Sequence, residues 1–221
     1  MTHEPAATAA PPLGLRDLDR VPLTPANRAR LDQAMADCDG LAHWRLRKRA
    51  EARDVLALEQ ICPRLRVWQL DLRQAIRLVV SLEGPVPCMA EPGGELQVAP
   101  RSLLGVTYPA EATLTPLPGM SFVQILAPPR VWHASVHYGP AAPLCLGITL
   151  PANTPVKEIV FLSYGALSMQ TVNLDEQSPE GVLNRAAARY YLEHPEHIPL
   201  TSTPFLVGRG TPNAYKKGLS P

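Results

Sequence analysis

Proline placement constrains this chain before anything else does. From Tyr108 to Cys145 the sequence meets Pro109, Pro116, Pro118, Pro128, Pro129, Pro140 and Pro143, so no long helix fits there and each apolar run has room only for a strand. The reading that follows is a strand ending in Tyr108-Pro109, a Pro-rich passage, a second apolar strand, and an irregular loop through Trp132-His133. That loop leads to Pro143-Leu144-Cys145-Leu146-Gly147. A lone cysteine on the lip of a compact domain, carried by a loop that leaves its sulfur reachable, is placed for thiol chemistry. Taken alone, the same apolar setting is that of a buried core cysteine.

The flanking segments are regular where proline allows. Thr24-Pro25 is a helix start, because Thr caps free amides and Pro loses no bond at the first helical position. A helix is expected to about Ala36, an interruption at Asp39-Gly40, and a longer helix from Leu41 to about Ile61. Trp44, Val55, Leu58 and Ile61 are its core contacts, with Pro63 beyond its end. From Val67 the pattern turns to β. Strands are expected over Leu70 to Leu82, Leu96 to Val98, Ser102 to Tyr108 and Met120 to Leu126, separated by Glu83-Gly84-Pro85, Pro92-Gly93-Gly94 and Pro118-Gly119. With no crossover helix among them they read as a four-stranded antiparallel meander. Thr154-Pro155 opens a helix with Ile159, Val160, Leu162 and Leu167 inward. Ser178-Pro179-Glu180 opens another, with Val182, Leu183, Ala186, Tyr190 and Leu192 inward, closed by His194-Pro195. The fold class is α+β, with helices packed on one sheet.

At 221 residues the chain suits one domain plus extensions: a flexible Ala- and Pro-rich arm over 1–21, a domain with an N-terminal helical extension over 22–197, and an extended tail over 198–221. A net charge of +1 provides no global field toward nucleic acid or an anionic membrane. Cys38, Cys62, Cys88 and Cys145 form no Cys-x-x-Cys pair, which argues against structural zinc. The N-terminus has neither a basic n-region nor an apolar core for secretion, and no apolar run approaches the roughly 20 residues that span a bilayer. A cytoplasmic protein with reduced thiols is therefore expected.

One dense basic run, Arg45, Arg47, Lys48, Arg49 and Arg53, lies on the second helix. It is either a solvated face or a docking face for an acidic partner, and it lacks the interleaved aromatics that stack nucleic-acid bases. His194 and His197 flank Pro195 without an evident third metal ligand, so helix-end charge complementarity is the stronger reading.

The ordered landmarks Tyr108-Pro109, Pro128-Pro129, Trp132-His133 and Leu144-Cys145-Leu146 resemble the core of ubiquitin-conjugating enzymes over about Leu41 to Pro195. In that family a Tyr/Phe-Pro strand end, a Pro-Pro pair and a His-Pro-Asn motif precede an Ile/Val-Cys-Leu active site. Here Ala134 and Ser135 stand where Pro and Asn would be, and the loop to Cys145 is longer. Such departures are similar to the divergent conjugating enzymes of bacterial ubiquitin-like pathways, some of them in antiphage defence operons. The abundance of Arg over Lys, with Ala and Pro, fits a GC-rich bacterial genome.

The resemblance implies a UBC-like fold and a cysteine thioester carrier. Cys145 would take a ubiquitin-like modifier from an activating enzyme and pass it to an amine of a target protein, with no metal or organic cofactor. It implies that Arg45, Arg47, Lys48 and Arg49 face the activating enzyme. His133 would tie the loop together through hydrogen bonds, and Ser135 and His137 would be the polar groups near the sulfur. Two other classes remain open: a catalytically inactive module that keeps the fold to hold a modifier or partner, and a thiol hydrolase pairing Cys145 with His133 or His137.

Overall fold

A computed structural model of the protein describes residues 14–177 and 182–206. Residues 1–13 of the expected arm, the expected helix start at Ser178-Pro179-Glu180, and Lys216-Lys217 of the tail lie outside the described residues. The described part of the arm, from Gly14 to Val21, is held in place. Leu15–Arg20 form a 3-10 turn with Leu18 buried, and the Arg53 guanidinium takes the carbonyls of Leu18 at 2.6 Å, Asp19 at 2.6 Å and Val21 at 2.8 Å. Charge-assisted bonds to three carbonyls hold a short segment that could not bury enough surface to fix itself.

Helix α1 (Pro25–Ala36) starts as expected, with the Thr24 hydroxyl accepting from the Asn27 amide at 3.3 Å. Helix α2 (Ala42–Ile61) lies against it, joined by Asn27 Nδ2 donating to the Leu56 carbonyl at 3.2 Å. Trp44, Val55 and Leu58 are buried, while Ile61 is only half-buried at the helix end.

The sheet is antiparallel throughout, yet its strands are cut differently from the expectation. Strand β1 (Leu65–Asp71) and strand β2 (Ile76–Met89) replace the single strand over Leu70 to Leu82. The turn between them has no Gly or Pro signal. The Asp71 carboxylate makes it, accepting from the Arg73 amide at 2.9 Å and pairing with its guanidinium at 2.8 Å. The Arg73 side chain holds the Asp71 carboxyl down at about 2.

Strand β2 runs straight through Glu83-Gly84-Pro85, and strand β3 (Leu96–Tyr108) runs through Pro100, joining two segments expected to be separate. The register slips by one between Glu83↔Arg101 and Val86↔Ala99, a bulge that sets the two prolines where ladder donors are not needed. Gly84 has a different reason to be there: a Cβ would meet the Tyr164 ring at 2.8 Å. Glycine marks close helix approach, not a turn.

A two-residue ribbon pairs β4 (Leu117–Pro118) with β7 (Thr149–Leu150), and strand β5 (Val123–Ala127) follows a 3-10 turn over Gly119–Ser121. Strand β6 (Pro143–Leu144) closes the edge, so the main sheet reads β1-β2-β3-β5-β6. Helix α3 (Val156–Leu167) begins after Pro155 and buries Ile159, Val160 and Leu167; Glu51 of α2 accepts its first amide, Val156 N, at 2.8 Å. One sheet face, with Leu78, Val80, Leu104, Val106 and Ile125, is buried, and α2 and α3 pack in the same core. The other face leaves Trp68 and Leu126 exposed. The molecule is α+β.

Helix α4 (Arg185–Glu193) starts at an Asn184 cap, and its inward residues are Ala187, Ala188 and Tyr191 in place of Ala186, Tyr190 and Leu192. The Tyr191 hydroxyl donates to the Trp132 carbonyl at 2.8 Å; this bond and packing against Trp132 in a small second core set the helix rotation and leave Leu192 exposed. Beyond His194-Pro195 the chain lies over the domain. Phe205 is buried against Tyr164, and the Tyr164 hydroxyl donates to Thr203 at 2.9 Å.

Candidate active site around Cys145

The loop that returns from β5 to Cys145 is fastened to β2 and to β6. Its first part adds to β2, with Val131 bridging to Cys88, Trp132 N donating to the Pro87 carbonyl at 2.8 Å, and the Tyr138 hydroxyl reaching the carbonyls of Met89 and Ala90. Val136, near the middle of the loop, bridges to Leu144 of β6. Between them His133 to Val136 form a tight turn closed by Val136 N donating to the His133 carbonyl at 3.1 Å.

His133 is fully buried inside that turn. Its Nδ1 accepts from the Ser135 amide at 3.0 Å, which leaves Nε2 as the protonated nitrogen, donating to the Ala166 carbonyl near the end of α3 at 3.0 Å. Burial pushes its pKa down to about 4, so the ring is neutral near pH 7. Both nitrogens are committed, and the ring serves as the rivet between loop and helix. A Cys145–His133 hydrolase pair has no free nitrogen to use.

Continuing the Val136–Leu144 register sets Ser135 opposite Cys145, and the Cys145 amide donates to the Ser135 carbonyl at 2.8 Å. Ser135 is half-buried; His137, two residues on, is exposed. The sulfur is less open than the loop pattern implied. Cys145 is 9% exposed, and its thiol donates to the Gly147 carbonyl at 3.2 Å. The chain bends there because Gly147, at φ +127°, lies under Gly119, where a Cβ would come within 2.3 Å of the Gly147 oxygen. Gly119 N donates to the Ile148 carbonyl at 3.2 Å and Leu146 N to the Gly119 carbonyl at 3.4 Å, so two backbones in contact shape the floor beyond the thiol. The other three cysteines are free thiols too, with Cys38 and Cys62 buried and Cys88 half-buried. Burial raises the pKa of Cys62 and Cys88.

Asn184 is a site neighbour that no motif pointed to, since it arrives from the far end of the chain. The amides of Leu183 and Asn184 both donate to the Ala134 carbonyl, at 2.8 and 2.9 Å, which docks the start of α4 on the turn that carries Ser135. Only a helix-capping Asn ahead of Arg185 could have marked the place, and it marks many others.

The basic run divides into structural and exposed members. Lys48 does not face a partner: it is fully buried, its ammonium donating to the carbonyls of Asp39 and Leu72 at 2.8 Å and to that of Arg73, with the Trp44 ring 5.5 Å away. Three carbonyls replace its hydration, which is what allows a charge to stay inside. Arg47 is paired with buried Glu51 at 2.6 Å, and burial raises the Glu51 pKa against the pull of Arg47 and of the Val156 amide. Arg45 and Arg49 are exposed, beside exposed Leu41 and Leu46. His197 stacks on Tyr190 and His194 packs against the same ring at a tilt, and among the described residues no three His, Cys, Asp or Glu side chains gather as a metal site requires. No helix among the described residues is long and apolar enough to cross a membrane.

No protein family, curated protein or solved structure matches this chain.

Proposed function

We propose that the protein is a ubiquitin-like protein conjugating enzyme of UBC-like fold. It accepts a modifier from an activating enzyme as a thioester on Cys145 and transfers it to an amine of a target protein, as in the bacterial pathways its landmarks resemble. The observation that carries this reading is the fixed geometry of Cys145: its amide is tied to Ser135, in a turn riveted to α3 by His133, at the edge of an antiparallel meander. A carrier needs a thiol held in place rather than a strong base beside it, because thioester exchange moves an already activated acyl group from one sulfur to another. The thiol partner here is a backbone carbonyl, which suits that chemistry better than hydrolysis.

Arg45 and Arg49 are the docking residues this reading keeps, and Lys48 leaves that set. The test is incubation with ATP, an activating enzyme and a ubiquitin-like protein, scored for a covalent adduct that thiol reductant removes. The inactive binding module has one observation in its favour, the low exposure of Cys145. It predicts tight modifier binding with no adduct.

A further inference from the structure

We propose that the backbone N–H of Gly147 is the donor that receives the acyl oxygen during transfer at Cys145, in place of a side-chain donor. The proposal rests on Cys145 being a thioester carrier. The side chains of the neighbouring turn are poorly placed for that task. Both His133 nitrogens are committed, Ala134 carries no polar group, and His137 is exposed. Ser135 meets Cys145 through its carbonyl, and its hydroxyl makes no hydrogen bond to the thiol. Gly147 is the residue that does touch the sulfur, through the 3.2 Å bond from the thiol to its carbonyl.

The backbone amides from Cys145 to Ile148 separate by their partners. Cys145 N donates to the Ser135 carbonyl at 2.8 Å, and Leu146 N to that of Gly119 at 3.4 Å. Ile148 N shares a peptide unit with the Gly147 carbonyl. A trans peptide points its N–H opposite to its oxygen, so with that oxygen on the sulfur the Ile148 N–H is turned away. Gly147 N has no hydrogen-bond acceptor among the described residues. Standard geometry keeps a residue's nitrogen about 3 Å from its own carbonyl oxygen, which puts this N–H in reach of an oxygen on a carbon bonded to Sγ.

The orientation of that amide depends on glycine. A Cβ on Gly147 would meet nothing within 4 Å, so space does not require glycine there; its φ of +127° does, and it turns the Leu146–Gly147 peptide over relative to an ordinary residue. Gly119 then holds the unit in place, since a Cβ on Gly119 would come within 2.8 Å of Gly147 N and 2.3 Å of its oxygen. An unmatched donor with a fixed direction, on the residue that touches the nucleophile, is what a preorganised oxyanion site requires.

The chemistry needs such a donor twice. In charging, the Cys145 thiolate attacks the acyl carbon of the incoming thioester; one C–S bond forms, the other breaks, and the departing thiolate keeps the electron pair. In discharge an amine attacks the same carbon, the C–S bond to Cys145 breaks with its electron pair on sulfur, and the amine loses a proton to solvent. Both steps pass through a tetrahedral state with negative charge on the former carbonyl oxygen, where a placed donor accelerates reaction.

The experiment builds the full chain by ligating residues 1–144, as a thioester, to a synthetic segment over 145–221, with Cys145 itself as the joining cysteine. Glycolic acid at position 147 replaces the N–H by an ester oxygen, and the α-hydroxy analogue of isoleucine at position 148 makes the same change one residue on. An all-amide chain is the reference, and melting curves separate loss of fold from loss of rate. Each chain is charged with the 2-mercaptoethanesulfonate thioester of glycylglycine, and discharge from Cys145 to free lysine is followed by mass spectrometry. The ester at 147 is expected to discharge at least about tenfold more slowly than the all-amide chain, and the ester at 148 to stay within about twofold of it. Recombinant Gly147→Ala has room for its methyl group but cannot comfortably hold the positive φ, and it should also discharge slowly with the fold intact. Discharge by the 147 ester at the all-amide rate, or equal slowing by both esters, overturns the role of the Gly147 N–H while leaving the carrier intact. If the 147 ester does not fold, wild-type discharge by Gly147→Ala overturns it instead. An all-amide chain that takes no acyl group on Cys145, from the probe or from an activating enzyme, overturns the carrier reading and this proposal with it.

Discussion

The Cys145 amide donates to the Ser135 carbonyl at 2.8 Å, and this one bond fixes the thiol to the turn that His133 anchors. The position of the sulfur thus depends on a buried imidazole that never approaches it as a base.

His133 makes the stability of the protein pH-dependent in a stated window. Its pKa is about 4 in the fold and about 6.5 when unfolded, so between those values the unfolded chain binds more protons. Its contribution is complete above about pH 6.5 and is lost as pH falls toward 4, by up to about 3 kcal/mol. Denaturant unfolding at steps across that range should show stability rising with pH, and His133→Ala should flatten the slope. The substitution should also cost on the order of 2–3 kcal/mol at pH 7, because the Ser135 amide and Ala166 carbonyl lose their partner.

Two glycines make opposite predictions. Gly84→Ala drives a Cβ into the Tyr164 ring, so melting should fall by an amount equivalent to about 1–3 kcal/mol while folded protein is still charged at Cys145. Gly119→Ala strikes the Gly147 backbone beside the thiol, and charging should fall much further than stability does. Equal charging of both folded variants would remove the Gly119–Gly147 contact from the site.

The basic helix separates in the same way. Lys48→Met should destabilise by at least about 2 kcal/mol, since three buried carbonyls lose their donor. Arg45→Glu with Arg49→Glu should lower stability by no more than about 1 kcal/mol, since Arg49 gives up only an exposed pair with Asp32 at 3.7 Å, and should weaken charging most at low salt, because exposed charges are screened beyond about 8–10 Å at physiological ionic strength. Unchanged charging at low salt, with the fold intact, returns these arginines to the solvated surface.

Legibility in the sequence followed the distance over which each signal acts. Thr24-Pro25, the long second helix, Thr154-Pro155 and His194-Pro195 were readable because caps and proline act on their nearest neighbours. Glu83-Gly84-Pro85 misled because a bulge and a close ring use the same residues as a turn, and Arg73 was missed because a carboxylate made its turn. Lys48 looked like surface charge, since the carbonyls that satisfy it come from the distant segment around Leu72 and Arg73. Cys145, Ser135 and His133 lie on one stretch of sequence and stood out there by resemblance to a family motif, whereas Gly119 and Asn184 come near them only by folding.

Native-state labelling with a bulky maleimide checks how far the thiol is presented. Cys145 lies at the sheet edge, 9% exposed, with its thiol bonded to the Gly147 carbonyl. Cys145 should label in the native state alongside the half-buried Cys88, and Cys38 and Cys62 should react only on unfolding. Labelling of Cys88 alone would place the accessible thiol on β2 instead.

The most direct measurement is the adduct itself. Wild-type protein incubated with ATP, an activating enzyme and a ubiquitin-like protein should show a covalent product on non-reducing denaturing gels that reductant or hydroxylamine removes. Cys145→Ser should give a product that survives reductant, because an oxygen ester forms, and Cys145→Ala should give none, while changes at Cys38, Cys62 and Cys88 leave the wild-type product in place. A reductant-sensitive adduct on Cys145→Ala, or none on wild type with active partners, would contradict the assignment of Cys145 as the carrier.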